Sequence, residues 1–410
     1  MPVSIPESVG TESVGGVSDQ AAGVEDAGLG LYVHWPFCIS KCPYCDFNSH
    51  VRDSIDQERW GRALVNDLES ALAAVSTDVL RPLLSIFFGG GTPSLMAPET
   101  VAAVLDVLSS RGLLNAQTEI TLEANPSSAD AERFAAYRDA GVNRLSIGVQ
   151  ALDNEALRFL GRAHDVDEAL DALAAARATF SRVSFDLIYA RTGQSPQAWR
   201  AELERVLALA PAHVSLYQLT IEHGTRFYEA QARGNLTVPG DDDAATMYED
   251  TLLRCKEIKL AAYEVSNFAR PGEECRHNLI YWRSGDWIGV GPGAHGRMGQ
   301  GDGRVATRQW RSPEKWLDAV ENTGTGFEAS EVLDAPTRAT EMLMMGLRLT
   351  EGVSAKRFER MVGETLQDTL IRDRLDDLVE GGFMEVSQHG VRTTRQGRNV
   401  LNTLVSQLLP

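Results

Sequence analysis

Three cysteines lie within eight residues of one another in the stretch HWPFCISKCPYCDFN, residues 34–48. They are Cys38, Cys42 and Cys45, a C-x3-C-x2-C pattern. A structural zinc ion needs four ligands, and His34 or His50 is available as the fourth. A thioredoxin-like redox pair leaves the third cysteine without a role, and three unrelated buried thiols at this spacing are improbable. A [4Fe–4S] cluster fits better, because three thiolates leave one iron open to an exchangeable ligand.

The composition argues against several classes of protein. The chain has 410 residues, enough for two domains, and 43% of them are hydrophobic. Its formal net charge of −18 argues against a nucleic-acid binder, which would have a basic surface. The sequence has no apolar run of about 20 residues that would span a membrane, and its start lacks the signal-peptide pattern. We therefore expect a cytoplasmic protein, in which clustered cysteines favour metal or redox chemistry over disulfides.

Short apolar stretches alternate with amphipathic ones from about residue 28 to residue 221. The strand-like stretches are LGLYVHWP, LLSIFFGGG, EITLEANP, RLSIGVQ, RVSFDLIYA and HVSLYQLTIE. Helical patterns such as APETVAAVLDVLSS and DVDEALDALAAARATF lie between them. This alternation predicts an α/β fold of parallel β–α units, and six strands predict a partial (β/α)6 barrel rather than a closed eight-stranded one.

Polar residues and glycines collect where these predicted strands end. Glycines 89–91 follow the second strand, Glu123 and Gln150 lie at the ends of the next two, and Asp186 lies within the fifth. In parallel barrels the carboxyl ends of the strands build the active site. The loop with the three cysteines follows the first strand, so we expect it at the same mouth.

The cysteine pattern after the first strand of a partial barrel resembles the radical S-adenosylmethionine (SAM) superfamily. The resemblance extends from about Tyr32 through the C-terminal region. It implies a [4Fe–4S] cluster whose open iron binds the amino and carboxylate groups of SAM. It also implies one-electron cleavage of SAM to a 5′-deoxyadenosyl radical, with an electron donor such as a flavodoxin or ferredoxin. The cofactor supplies that chemistry and the protein positions it.

The same resemblance implies a set of SAM-binding residues at the mouth. Small residues in FGGGTPS let the backbone approach the ligand closely, and carboxylates and an arginine can pair with its charged groups. One departure is that the family's Gly-x-Pro turn after DLIY is replaced by residues 190–192 before Gly193. The SAM neighbours that the resemblance implies are Tyr32, Tyr44, Gly90, Gly91, Thr92, Glu123, Gln150, Arg162 and Asp186.

The pattern divides the chain into four parts. Residues 1–28 have the Gly-, Ser- and Val-rich composition of a disordered tail, and residues 29–235 form the predicted barrel. Residues 236–333 form a linking region that is rich in glycine and aromatic residues and is expected to pack on the barrel. In residues 334–410, three helical patterns, a β-hairpin and a last helix predict a small α+β winged-helix-like domain, in which the clustered methionines fill the core.

Two features choose between branches of the superfamily. The chain most resembles oxygen-independent coproporphyrinogen III oxidases and the HemW-type haem chaperones. The oxidases carry a further cysteine two places after the third, where this chain has Phe47, and an ordered segment before the barrel. The chaperones carry an H-N-x-x-Y-W motif, here His277 to Trp282. A neutral imidazole is a common haem ligand, and Tyr281 and Trp282 are able to stack on a macrocycle.

The resemblance therefore implies a haem chaperone that binds haem and a SAM-liganded [4Fe–4S] cluster and transfers haem to acceptor proteins. The alternative is a radical SAM decarboxylase acting on coproporphyrinogen III, so whether the chain is an enzyme stays open. A zinc-stabilised regulatory protein is a distant third interpretation. Nucleic acid and a transmembrane segment are not expected. Peripheral membrane contact and a homodimer are compatible with the pattern.

Overall fold

The computed structural model of the chain describes residues 26–128, 130–301 and 303–408. The disordered tail expected over residues 1–28 lies outside the described residues as far as residue 25. Across the described part, no helix has the length and apolar composition needed to cross a bilayer.

Six parallel strands form the centre of one mixed sheet, as the alternating pattern predicts. They are β1 (Leu29–Trp35), β4 (Ser85–Gly90), β5 (Glu119–Ala124), β6 (Arg144–Gln150), β7 (Arg182–Tyr189) and β8 (His213–Gln218). They lie in the order β1-β4-β5-β6-β7-β8, and each pairs in parallel with the next. The expected (β/α)6 arrangement is confirmed, and the sheet is not a closed barrel.

Helices connect these strands and cover the outer face of the sheet. They are α1 (Gln57–Ala74), α2 (Pro98–Ser110), α3 (Ala131–Ala140), α4 (Asn154–Phe159), α5 (Val166–Thr179) and α6 (Pro196–Ala208). Side-chain caps start several of them. Asp153, for example, accepts a hydrogen bond from the amide of Ala156 at 2.7 Å and so begins α4. Helix α1 is not among the helices predicted above from the sequence pattern.

The linking region extends the central sheet at both edges. After α7 (Arg226–Ala232) and α8 (Asp241–Glu257), strands β9 (Ala261–Ala262) and β10 (Asn267–Ala269) continue it antiparallel beyond β8. Helix α9 (Arg276–Trp282) then leads to β11 (Asp286–Val290), which pairs in parallel with β1. Strands β12 (His295–Gln300), β13 (Gly303–Gln309) and β14 (Phe327–Leu333) follow antiparallel, with α10 (Pro313–Thr323) between the last two. The sheet thus has twelve strands among the described residues.

The C-terminal region has its own hydrophobic core and a three-stranded sheet. Its helices are α11 (Ala335–Gly346), α12 (Ala355–Val362), α13 (Leu366–Thr369), α14 (Arg372–Glu380), α15 (Arg395–Arg398) and α16 (Leu401–Leu408). Strand β15 (Val353–Ser354) pairs with the hairpin β16 (Met384–Ser387) and β17 (Gly390–Thr393). The predicted hairpin is present, and the predicted last helix is divided into α15 and α16. Met342 is buried in this core, whereas Met344 is 53% exposed and does not fill it.

An aromatic cluster supports the segment that leads into the cysteine loop. Trp35 and Phe37 are buried, with ring centroids 5.3 Å apart, and Phe37 packs edge-on against Trp60 at 4.7 Å. Trp60 stacks on Trp316 of α10 at 5.6 Å. Each such pair stabilises a fold by about 0.5–1.5 kcal/mol beyond its area burial. The backbone just before Cys38 is therefore held by both α1 and the linking region.

Candidate functional site

The three cysteines of the pattern lie on one loop beyond the end of β1. Cys38 lies in β2 (Phe37–Cys38), which pairs in parallel with β3 (His50–Val51). Cys38 is buried, and Cys42 and Cys45 are half-buried. The Cys45 amide donates to the Cys42 carbonyl at 3.2 Å, which folds the loop back on itself. All three thiols are free, as expected for cluster ligands.

Each of the three sulfur atoms has a polar neighbour. The Thr92 hydroxyl donates to Cys38 Sγ at 3.4 Å, and Arg162 Nη1 donates to Cys42 Sγ at 3.4 Å. Cys45 Sγ lies 3.8 Å from the hydroxyl of Ser49. Burial raises the pKa of the Cys38 and Cys45 thiols. Donors of this kind around ligand sulfurs tune the potential of an iron–sulfur cluster.

A single tetrahedral zinc ion does not fit this arrangement. Within the described ranges, no three His, Cys, Asp or Glu side chains converge on a point where one metal ion could be held. Both ring nitrogens of His34 are already hydrogen-bonded, one to Tyr32 and one to the Asn48 carbonyl. His50 Nε2 lies 3.1 Å from the side-chain oxygen of Asn48. A [4Fe–4S] cluster does not require the three sulfur atoms to converge on one point, because each thiolate binds a separate iron.

The glycines after β4 bring the backbone against the base of the cysteine loop. The Gly91 amide donates to the Trp35 carbonyl at 2.7 Å, and the Thr92 amide donates to the Phe37 carbonyl at 2.8 Å. Gly90 has a φ of +117°, and a Cβ there would lie 2.7 Å from the His34 ring. Only glycine allows this conformation and this close approach. The FGGGTPS stretch is therefore bonded to the base of the cysteine loop.

Two carboxyl groups of the parallel strands influence each other electrostatically, Glu123 of β5 and Asp186 of β7. Burial, together with the negative charge of Asp186, raises the pKa of Glu123 to about 8, although the Gly90 amide donates to its carboxylate. Burial also raises the pKa of Asp186 to about 6, against the hydroxyls of Ser215 and Ser146, which donate to it. Buried carboxyls with raised pKa values are typical of functional sites. A cationic ligand bound near these carboxyl groups would favour their ionised forms.

Arg162 and Gln150 border the same mouth. Arg162 donates to the Gly148 carbonyl at 3.1 Å as well as to Cys42, and its charge also acts on Tyr44. Gln150 ends β6 at a register shift and has a φ of +70°, which is unusual for a residue with a side chain. A small cleft here is lined by Ile39, Ser40, Cys42, Thr92, Asn125 and Arg162, among others.

The loop that departs from the Gly-x-Pro pattern is stabilised by a buried ion pair. Ala190 has a φ of +54°, and the Arg191 guanidinium donates to both oxygens of Glu202, the closer at 2.5 Å. Both side chains are less than a tenth exposed. Gln194 also donates to Glu202, at 3.0 Å. The ion pair between Arg191 and Glu202 therefore holds the loop at the place where the family has its Gly-x-Pro turn.

The H-N-x-x-Y-W motif lies at the opposite end of the strands from the cysteines. It forms α9, whose first amide, that of Arg276, donates at 2.9 Å to the buried carboxylate of Glu119 at the start of β5. Just beyond α9, the Asp286 amide donates to the Gly28 carbonyl, which precedes β1. Helix α9 thus closes the floor of the partial barrel.

His277 points from this floor into the interior of the sheet. It is 2% exposed and packs between Phe87, at a centroid distance of 4.6 Å, and Tyr281, at 4.4 Å. Tyr32 lies 6.0 Å away. Among the residues that the structure describes, neither ring nitrogen of His277 has a hydrogen-bond partner. Burial lowers its pKa to about 3, so the imidazole is neutral at pH 7.

The motif's two aromatic residues face different surroundings. Tyr281 contacts His277, and its ring packs edge-on against Trp287 at 4.7 Å. Trp282 instead lies under the Arg348 guanidinium of the C-terminal region, at 4.8 Å. His277 and Tyr281 are four residues apart and share one helical face. The structure therefore groups His277 with Tyr281 and directs Trp282 elsewhere.

Sequence reasoning missed one organising residue, Asn48. Its side-chain amide donates to the carbonyls of Pro292 and Arg311, both at 2.9 Å, and its own carbonyl lies 2.9 Å from His34 Nε2. These contacts fix the end of the cysteine loop to the linking region. The only signal in the sequence is its position three residues after Cys45. His34 was considered only as a fourth zinc ligand.

Comparisons with known proteins agree with this architecture. The family model "Radical SAM superfamily" matches residues 32–206, and the model "HemN C-terminal domain" matches residues 333–400. A solved structure, coproporphyrinogen III oxidase (HemN) from Escherichia coli, superposes with a TM-score of 0.75. It is 22% identical and covers 94% of this chain and 91% of its own. At that identity the likeness shows the fold alone.

Several curated proteins are similar over nearly the whole chain. "Radical S-adenosyl methionine domain-containing protein 1, mitochondrial" from Bos taurus is 40% identical over 405 residues, which cover 97% of this chain and 90% of that protein. "Heme chaperone HemW" from Escherichia coli is 36% identical and covers 93% and 98%. The protein of the same name from Mycobacterium tuberculosis is 34% identical and covers 93% and 95%.

Proposed function

This chain belongs to the radical S-adenosylmethionine superfamily, within the group of the relatives just described, and from that premise we propose that it is a haem chaperone. It binds haem, holds a SAM-liganded [4Fe–4S] cluster and passes haem to acceptor proteins. Support for the haem part comes from the relatives of at least 34% identity that are named heme chaperones. The proposal separates into a cluster, a SAM site and a haem site.

We propose that Cys38, Cys42 and Cys45 each bind one iron of the cluster. All three thiols are free, lie on one short loop and have polar neighbours that stabilise ligand sulfur. The fourth iron is then left for SAM. When bound, the cluster supplies one-electron chemistry. The chain fixes the loop through β2, Asn48 and the glycines after β4, and it keeps the first thiol buried.

The SAM site follows from the groups that face the cluster loop. Backbone at Gly90 and Gly91 offers a surface without side chains, and Glu123 and Asp186 offer carboxylates to cationic or hydroxyl groups. Arg162 supplies a positive charge near Cys42 for an anionic group. Tyr32, Tyr44, Thr92 and Gln150 complete the proposed set.

The observation that carries the haem site is the unpaired His277. A buried polar group without a partner costs about 1–3 kcal/mol, and both ring nitrogens lack a partner within the described part of the chain. A neutral imidazole is the form that binds iron, and the rings of Phe87 and Tyr281 flank it. Because His277 is only 2% exposed, α9 has to move for haem to reach it. Faster amide hydrogen exchange in residues 276–282 on haem binding would report that movement.

Phe47 favours the chaperone over the decarboxylase. It is 60% exposed and stands where the oxidases carry a further cysteine. We further propose an acceptor protein, an electron donor and a cytoplasmic location as parts of this function. Some of the relatives carry names that place them in mitochondria.

A paired assay on one reconstituted sample tests the function. Haem titration should produce a Soret band, and the same protein with SAM and a reductant should not convert coproporphyrinogen III to protoporphyrinogen IX. The Phe47→Cys variant should remain inactive in that conversion. Multiple-turnover decarboxylation by the unmodified protein, without haem binding, would contradict the proposal and support the oxidase.

A further inference from the structure

A short hydrogen-bond chain runs from the cysteine loop to the mouth of the sheet. The Asn48 carbonyl lies 2.9 Å from His34 Nε2, and His34 Nδ1 lies 2.9 Å from the Tyr32 hydroxyl. Asn48 is held from the other side by its two bonds to the linking region. The three groups therefore have fixed positions, and only the places of their protons remain to be assigned.

The chemistry of the groups assigns those protons. A carbonyl oxygen only accepts, so Nε2 of His34 must carry a hydrogen and donate it to Asn48. The imidazole is 5% exposed, and burial lowers its pKa to about 4, so it is neutral at pH 7. A neutral imidazole has one N–H, and Nδ1 is therefore an acceptor. The Tyr32 hydroxyl must donate its single proton to Nδ1.

Tyr32 stands beside the groups proposed to bind SAM. A Cβ on Gly89 would lie 2.9 Å from the Tyr32 ring, and the His34 ring packs against Gly90. Burial raises the pKa of the Tyr32 hydroxyl, and Glu123 in its ionised form raises it further. The Tyr32 ring thus lies against Gly89 and within electrostatic range of Glu123, and its hydroxyl proton is donated to His34.

We propose that Tyr32 is a specificity-determining acceptor, whose oxygen receives a hydrogen bond from the amino group of SAM and rejects its carboxylate. The inference rests on the proposed SAM site and adds the direction of one hydrogen bond, in which SAM donates and Tyr32 accepts. His34 and Asn48 are the positioning residues that set this direction, because they hold the Tyr32 proton in a hydrogen bond to His34. If the Tyr32 hydroxyl were free to rotate, it would donate to a carboxylate as readily as it accepts from an amine.

Three ligands separate the two functional groups. They are SAM, decarboxylated SAM, which keeps the amine, and deaminated SAM, which keeps the carboxylate. Each is titrated anaerobically into the cluster-loaded wild type and into the Tyr32→Phe variant, and the ratio of the two dissociation constants is taken. Each analogue binds more weakly than SAM to both proteins because it lacks one functional group. The ratio of the variant and wild-type constants cancels that common loss. Tyr248→Phe, which removes a hydroxyl on α8 that has no hydrogen-bond partner among the described residues, is the matched control.

We expect Tyr32→Phe to weaken SAM and decarboxylated SAM by about tenfold and deaminated SAM by less than about twofold. Weakening that persists with the deaminated ligand and disappears with the decarboxylated one would overturn the inference while leaving the SAM site intact. Equal weakening of all three would also overturn it, since the hydroxyl would then contribute shape only. If no ligand binds to loaded wild-type protein, the proposed SAM site itself fails.

A second measurement does not depend on any variant loading its cluster. In the full-length chain labelled with 15N-histidine, the His34 nitrogens report which of them carries the proton. The His34→Gln spectrum identifies their signals. We expect a protonated Nε2 and an unprotonated Nδ1 at pH 7. A protonated Nδ1 would overturn the assignment, because Tyr32 would then keep its proton for the ligand.

Discussion

Replacing Gly91 by alanine places a methyl group against the backbone that enters the cysteine loop. The added Cβ would lie 2.7 Å from the Phe37 carbonyl oxygen and 2.9 Å from the Pro36 carbonyl carbon. The first distance is about 0.7 Å short of an ordinary contact of 3.4 Å. Both neighbours are backbone atoms, and the Gly91 amide is itself bonded to the Trp35 carbonyl at 2.7 Å. The strain therefore cannot be relieved by a side-chain rotation.

The cost of such overpacking is about 1–3 kcal/mol. We expect most of the displacement to fall on Phe37 and Cys38, because Trp35 is fixed within the aromatic cluster. A shift of the loop should also weaken SAM binding by about tenfold, the lower end of what changes around metal ligands produce. Gly299→Ala is the matched control, since among the described residues a Cβ there comes within 4 Å of Asp286 Oδ1 alone, at 3.8 Å.

The assay compares the two variants with the unmodified protein after anaerobic reconstitution. Iron and sulfide content, the thermal midpoint and the effect of SAM on the electron paramagnetic resonance spectrum are measured for each. Gly91→Ala should lower the thermal midpoint of unfolding and reduce the change that SAM causes in the electron paramagnetic resonance spectrum. Gly299→Ala should alter neither quantity. Equal thermal midpoints and equal spectral responses to SAM in the two variants would refute the close approach of the glycines to the cysteine loop.

Glu123, Arg191 and Cys42 each give a further testable outcome. The pKa of Glu123 is about 8, above its ordinary 4.5, so its contribution to the stability of the ligand-free fold is present below pH 4.5 and is lost as the pH rises through 8. Cationic SAM favours the carboxylate, so calorimetry should show affinity rising between about pH 6 and pH 8, by less than about tenfold per unit, and Glu123→Gln should remove that slope. Arg191→Met should destabilise the protein by about 3–5 kcal/mol in urea unfolding, because it leaves Glu202 buried without its partner, and adding Glu202→Leu should restore much of the loss. Cys42→Ala should abolish the reconstituted cluster in an iron and sulfide assay, whereas Cys255→Ala should keep it; a cluster that survives the loss of Cys42 would refute the ligand assignment.

The six parallel strands and the cysteine loop were predictable because their signals are local. Each strand is a short apolar stretch bounded by glycine or polar residues, and the ligand spacing lies within one loop. The carboxyl ends of parallel strands meet at one edge, so Glu123 and Asp186 could be expected near the glycines from topology alone. The raised pKa values follow from burial, which the strand pattern only suggests.

The remaining features depend on contacts between distant parts of the chain. Nothing local indicates that β11 pairs with β1, or that Asn48 bonds to Pro292 and Arg311. The motif from His277 to Trp282 was expected to present three side chains to one ligand. A helix places its first and fifth residues on one face and turns the sixth away, and the position of α9 at the floor is set by Glu119. Helix α1 was missed although its buried face is regular.

The most direct test of the central claim is haem titration of the His277→Ala variant beside the exposed-site control His295→Ala. Both are followed by absorption and resonance Raman spectroscopy on protein with equal iron and sulfide content. We predict that His295→Ala reproduces the wild-type Soret band and haem affinity. His277→Ala should shift the band and weaken haem binding by about tenfold or more, which corresponds to a lost binding free energy of about 1.4 kcal/mol or more. A His277→Ala variant with unchanged spectrum and affinity would contradict the account.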